Sequence, residues 1–174
     1  GAPVVDAIPN FDDRMMEGAT LADLDLDLAL HTALQYSRKL GLREPTAGTL
    51  KVFLRELGLL VGAAEIERPS IAAMLLFGRE PQRFLPHAIV TATIDGKKRK
   101  VFAGNLLKQR SELLEWLEQP DVNPTLKVKV RGKHEERRAF HERALIELCI
   151  NLLVHRDYDD DRPATMEVRG NNGI

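Results

Sequence analysis

Hydrophobic positions along this chain recur with several different periods, and the changes of period mark the elements it predicts. Residues 1–19 carry Pro3, Pro9, Asn10 and Gly18 at short intervals and read as an extended lead-in. Thr20, with Asp23 three residues on, is a helix N-cap signal. The run behind it first alternates Leu with Asp like a strand. Leu30, Ala33, Leu34, Tyr36 and Leu40 then fall at helical spacing and Gly41 supplies a stop, so a helix is predicted over 21–39. A second helix is predicted over 47–57, with Leu50, Phe53, Leu54 and Leu57 on its apolar side, and Leu59, Leu60 and Val61 begin a short strand or wing. The unbroken apolar run 71–77, ended by Gly78, has the length of a strand buried on both faces, and a strand is the expectation there.

Residues 87–95 alternate Ile89, Thr91 and Thr93 against Val90, Ala92 and Ile94, and Asp95-Gly96 turns the chain into 98–102, a β-hairpin pattern. A helix is predicted over 105–119, with Leu106, Leu107, Leu113, Leu114, Trp116 and Leu117 as its stripe and Pro120 as its stop. Residues 126–131 alternate as a strand, 132–138 read as a charged loop, 139–155 as a helix, 157–161 as an acidic loop and 163–169 as a strand. The expected fold class is α+β, an N-terminal helical segment followed by a mixed or antiparallel sheet of roughly four to five strands, with the 104–119 and 139–155 helices on one face. The expected domains are the lead-in 1–19, a helical, winged-helix-like linking module over 20–64, and an α/β region over 65–174.

Composition narrows the function classes. With 174 residues, 44% of them hydrophobic, the chain can bury a core as one domain or two small ones. Lys and Arg number 25 against 26 for Asp and Glu, so no overall field draws in nucleic acid or an anionic membrane and any such contact must be local. The densest basic cluster, Lys97-Lys98-Arg99-Lys100, sits at the hairpin tip; blunting a sheet edge is its ordinary role and phosphate contact its second. The single cysteine, Cys149, lies in an apolar run, which rules out an internal disulfide and fits a reducing compartment. No apolar stretch approaches the roughly 20 residues of a membrane span, and a cytoplasmic, non-membrane protein is expected. A start at Gly1-Ala2-Pro3 and a close on the turn signal Asn172-Gly173 suggest a piece of a longer protein. Asp23, Asp25 and Asp27 do not converge on a helix, and no C-x-x-C, H-E-x-x-H or P-loop pattern occurs, so zinc and P-loop chemistry lack support.

The most informative stretch is 142–158, E-R-A-L-I-E-L-C-I-N-L-L-V-H-R-D-Y. Glu147, Asn151 and His155 interrupt an otherwise apolar helical run at intervals of four. At about 100° per residue, Asn151 lies roughly 40° and His155 roughly 80° around the helix from Glu147, a narrow polar stripe. A core helix with one wetted edge is the plain reading. The chemical one is that the carboxylate polarises a water while the carboxamide offers a neutral oxygen to Mg²⁺, a layout for phosphoanhydride hydrolysis.

The segment E-L-C-I-N-L-L-V-H-R-D-Y resembles the N-box helix, E-x-x-x-N, of the GHKL (Bergerat-fold) ATPases, the superfamily of gyrase B subunits, histidine kinases and MutL. It is most similar to a divergent branch of bacterial regulators that join a Schlafen-AlbA-type DNA-binding domain, a middle segment and an ATPase-like domain, and that are labelled transcriptional regulators or helicase-related proteins. Upstream, P-S-I-A-A-M-L-L-F-G-R-E-P-Q-R-F-L-P from Pro69 resembles that branch's P-x-x-A-x-x-L-L-F-G-x-x-P-Q-x-x-L-P block, and F-A-G-N-L-L-K-Q from Phe102 its G-N-L-x-x-Q helix start. The likeness covers about residues 69–174, and Phe11-Asp12 with the helices after it fit the segment before.

This resemblance implies an incomplete Bergerat-like fold with ATP and Mg²⁺ as cofactors. By position it makes Glu147 the general base, Asn151 the Mg²⁺ ligand, and Asn151 and His155 cofactor-binding residues. It implies as partners the further N- and C-terminal domains of the same protein, DNA through the full-length protein, and a homodimer. The adenine-binding box and glycine-rich lid of such ATPases follow the N-box and fall outside this chain, so no turnover is expected from it. Three functions therefore stand open: an ATP-binding, nucleotide-sensing part of a transcriptional regulator, a non-hydrolysing interaction or dimerisation module, and a winged-helix DNA binder over the first sixty or so residues. The first gains if Glu147 faces a cleft over the sheet; if Glu147 meets bulk solvent, the plain reading of a core helix with one wetted edge holds.

Overall fold

The computed structural model describes residues 12–63, 65–119, 122, 125–130, 133–138, 142–154 and 156–169. These divide into two compact units, the first ending at Phe84 and the second beginning at Leu85. The fold class is α+β.

The first unit contains a 3-10 turn at Leu21–Asp23, α1 (Leu26–Leu40), α2 (Leu50–Glu56), the two-residue strands β1 (Leu60–Val61) and β2 (Arg68–Pro69), α3 (Ile71–Phe77), and a second 3-10 turn at Pro81–Arg83. The run expected as a strand, 71–77, is a helix. Its length and apolarity fit either state, and Ala72, Ala73, Met74, Leu75 and Leu76 are strong helix formers. The chain before it also satisfies its orphan donors. Ile71 N–H donates to the Arg14 carbonyl (2.8 Å), Ala72 N–H to that of Asp12 (3.0 Å), Ala73 N–H to the buried Ser70 hydroxyl (3.1 Å) and Met74 N–H to the Ser70 carbonyl (3.1 Å). Six of its seven residues are buried, so α3 is the central element of this unit.

The same pairing explains why the helix expected over 21–39 is split. Leu24 leaves helical geometry to bridge Gly78, and Asp25 N–H donates to the Phe77 carbonyl (2.7 Å). Asp25 then caps α1, its carboxylate accepting from Leu28 N–H at 3.0 Å, and Gly41 ends the helix at φ 66°. Ala29, Ala33 and Ser37, spaced by four, are buried, and Tyr36 meets Phe53 of α2 edge to face at 6.3 Å.

The second unit is built on β3 (Val90–Ile94), β4 (Lys98–Phe102), α4 (Leu106–Leu117), β5 (Thr125–Val130), β6 (Lys133–Arg138), α5 (Glu142–Leu153) and β7 (Ala164–Arg169). Its five strands stand in the order β4-β3-β7-β5-β6, with β3 and β7 parallel and the other neighbours antiparallel. Asp95 and Gly96, at φ 50° and 71°, make the tight hairpin turn the sequence signalled. Part of the stretch expected as a charged loop, 132–138, is instead the edge strand β6, in register with β5 so that Lys127 stands opposite Glu136. A run of charges is what an edge strand tolerates best, so polarity concealed a strand there.

Register makes one face of this sheet apolar. Val90 pairs with Ala164 and Ala92 with Met166, all buried, while Thr91 pairs with the exposed Thr165 and Thr93 with the half-buried Glu167. Helices α4 and α5 lie against each other and bury Leu106, Leu113, Trp116 and Leu117 from one and Cys149, Leu152 and Leu153 from the other. Phe102 at the end of β4 meets Trp116 at 5.6 Å. One face is thus covered and the other wetted, which is ordinary for a sheet with antiparallel strands.

Candidate functional site

Helix α5 turns Cys149, Leu152 and Leu153 into the core, which leaves Glu147 and Asn151 exposed. At about 1.5 Å of rise per residue the two stand roughly 6 Å apart along the axis, one above the other. His155, the third member of the expected stripe, lies outside the described residues, as do the closing turn at 170–174 and residues 1–11 of the lead-in. Burial pushes the Cys149 thiol up to about 12, against a smaller opposing effect of the Arg110 charge, so it behaves as a protonated apolar group.

Beyond α5 the chain is gathered by Arg156, which is 9% exposed. Its guanidinium donates to the carbonyls of Ile89 (3.0 Å), His87 (3.0 Å) and Arg162 (2.9 Å) and lies over the Tyr158 ring at 4.6 Å. The Tyr158 hydroxyl donates to the Leu153 carbonyl, and His87 Nε2 meets the Tyr158 carbonyl at 2.6 Å. Arg156 and Tyr158 of H-R-D-Y therefore fasten the end of α5, the start of β3 and the approach to β7 to one another. G-N-L-x-x-Q acts on the same segment from α4. Asn105 caps α4 by accepting from Lys108 N–H at 2.9 Å, and the buried Gln109 donates to the carbonyls of Ala88 (2.8 Å) and Gly104 (2.9 Å). Gln109 was visible as a polar residue on the apolar stripe between Leu106 and Leu113. Nothing in the sequence marks Arg156 as buried.

A cleft of about 530 Å³ opens beside this clasp, lined by Arg156, Asp157, Asp160, Arg162, Pro163, Ala164 and Thr165. Within it the Asp160 carboxylate accepts from Arg162 Nε (2.9 Å) and Nη2 (2.6 Å), which holds its carboxyl far below the usual carboxylate range and raises the Arg162 pKa. Neither Glu147 nor Asn151 is among the described residues that line it. The expected acid and amide are thus brought together on α5, and the cleft belongs to the loop that follows.

Among the described residues no group of three or more His, Cys, Asp or Glu is placed to hold a metal ion. Mg²⁺ needs less than that, because it usually keeps several waters and is bound through one or two carboxylates together with substrate phosphates. Asn151 offers one neutral oxygen and Glu147, one turn away on the same helix, one carboxylate, both exposed. No described helix is long and apolar enough to cross a membrane. Comparison with protein-family models, with curated proteins and with solved structures found no match.

Proposed function

We propose that the second unit is an ATPase-like nucleotide-binding domain, serving as the nucleotide-sensing part of a cytoplasmic, DNA-associated transcriptional regulator. The observation that carries this reading is the spacing of Glu147 and Asn151, one helical turn apart on the side of α5 away from its buried Cys149, Leu152 and Leu153. A carboxylate and a carboxamide so held are available to a water and to a Mg²⁺–phosphate group. Mg²⁺ would supply charge neutralisation at the phosphates, with Asn151 as its protein ligand and Glu147 as the base orienting water. His155 is assigned with Asn151 as a cofactor-binding position on the strength of its place in H-R-D-Y after E-x-x-x-N. An exposed pair lacks the water-excluding walls that make such electrostatics effective, so this chain is expected to bind more readily than to turn over.

The second reading is a non-catalytic interaction or dimerisation module, and one observation favours it. Glu147 is exposed and stands apart from the lining of the cleft. Titration of ATP with and without Mg²⁺ separates the two: metal-dependent binding lost in Asn151→Ala supports the first, and its absence supports the second. A winged-helix DNA reader in the first unit has less support. Of the cations Lys51 and Arg55 on α2, Arg55 is paired with Glu67, which leaves little charge for a recognition helix.

A further inference from the structure

Strand β4 ends the sheet, with β3 as its neighbour, and Lys97, Lys98, Arg99 and Lys100 at its start are all exposed. Among the described residues no ion pair joins any of the four to an acid. Register divides the four. Arg99 stands opposite Thr93 on the wetted face, Lys98 and Lys100 stand opposite Ile94 and Ala92 on the other side, and Lys97 lies at the turn. The Lys100 ammonium sits 5.4 Å from the Phe102 ring centroid, which orders its stem beside the strand. Charged side chains, lysine above all, blunt an edge strand. Four in succession, in a chain whose formal net charge is −1, concentrate a positive field at one place.

We infer that this edge of the sheet is a docking surface for the phosphate backbone of double-stranded DNA. The cations would neutralise phosphates, and the half-buried hydroxyls of Thr91 and Thr93 beside Arg99 are of the kind that bind phosphate oxygens. Duplex fits better than single strand. Single-strand binders stack bases on exposed aromatic rings, and the described residues of this unit expose none, Phe102 being fully buried. A membrane surface fits less well, because Val101 is the one large apolar side chain exposed among the described residues there, too little to enter a bilayer interface. The contact reads no sequence, since it reaches the backbone and no base edge. It is independent of whether α5 binds nucleotide.

The test is fluorescence anisotropy of a labelled random-sequence DNA duplex titrated with the native chain at several salt concentrations. The same titration is made with the quadruple variant K97Q/K98Q/R99Q/K100Q and the charge-keeping variant K97R/K98R/K100R. Native binding should weaken with salt at a slope of about −3 to −4 in log K against log salt, at about −0.9 per phosphate contacted. The glutamine variant should lose at least about tenfold in affinity at low salt and most of that slope, and the arginine variant should keep both. Three results would overturn the inference: no duplex binding by the native chain, binding that the glutamine variant retains, or preference for single strands, duplex RNA or phosphatidylserine vesicles over duplex DNA.

Discussion

Gln109 and Arg156 bind three consecutive carbonyls of one segment, Arg156 taking those of His87 and Ile89 and Gln109 that of Ala88 between them. The entry to β3 is held in this way by side chains from α4 and from the loop after α5. Arg156→Met should remove three hydrogen bonds from a charged donor, although the Ile89 and His87 carbonyls keep backbone partners in Ala164 N–H and Ile89 N–H, and cost about 3 kcal/mol in urea denaturation. Gln109→Leu should cost less, about 1 kcal/mol, because it also removes the buried Gln109 Oε1, which has no hydrogen-bond partner among the described residues. The double variant should show a coupling energy of about 0.5 kcal/mol or more, as neighbours on one hydrogen-bonded segment do. Strict additivity would mean that the two act on the segment separately.

Helix α3 offers a second stability test. Ser70→Ala removes the hydroxyl that accepts from Ala73 N–H and should destabilise by about 1 kcal/mol. Gly78→Ala should cost more, about 2 kcal/mol, because a Cβ at Gly78 would overlap the Met74 carbonyl oxygen and force backbone movement. Equal effects would contradict the close approach at Gly78.

Cys149 sets a pH dependence whose sign is fixed. The folded thiol keeps its proton up to about 12 where an ordinary one loses it near 9.0. Stability from this group is therefore complete below about pH 9 and declines between about 9 and 12, as the unfolded chain gains by ionising and the folded chain does not. The native protein should resist iodoacetamide at about pH 8 and take up one equivalent once denatured, while Cys149→Ala should lose the decline. Rapid alkylation of the folded protein would show that the thiol is not buried.

Substitutions at the exposed pair should separate function from folding. Glu147→Gln and Asn151→Ala should each change stability by no more than about 0.5 kcal/mol, since neither side chain is packed in the core. A loss above about 2 kcal/mol for either would assign it to packing and favour the interaction-module reading.

Local signals carried much of the fold. Asp95-Gly96 specified its hairpin, Asn105 its helix start and Gly41 its helix end, because each acts through its own backbone conformation or nearest amides. Long-range pairings were not legible. The break at Leu24 depends on Gly78, the helical state of 71–77 on donors that find Asp12 and Arg14, and the strand at Lys133–Arg138 on its partner β5. At the site, spacing alone placed Glu147 and Asn151 on one side of α5, since helical periodicity is local. The structural task of Arg156 was hidden, because its three carbonyl partners lie on segments that only the folded chain brings together.

The most direct test of the nucleotide-binding proposal is titration of a fluorescent ATP analogue, with and without Mg²⁺, into the native chain and into Asn151→Ala. Mg²⁺-dependent binding that weakens at least about tenfold in the variant, a loss of about 1.4 kcal/mol, is the predicted result. It would justify following hydrolysis in Glu147→Gln. No binding by the well-folded native protein, or binding indifferent to both Mg²⁺ and Asn151, would contradict the proposal and leave α5 a packing helix with two exposed polar residues.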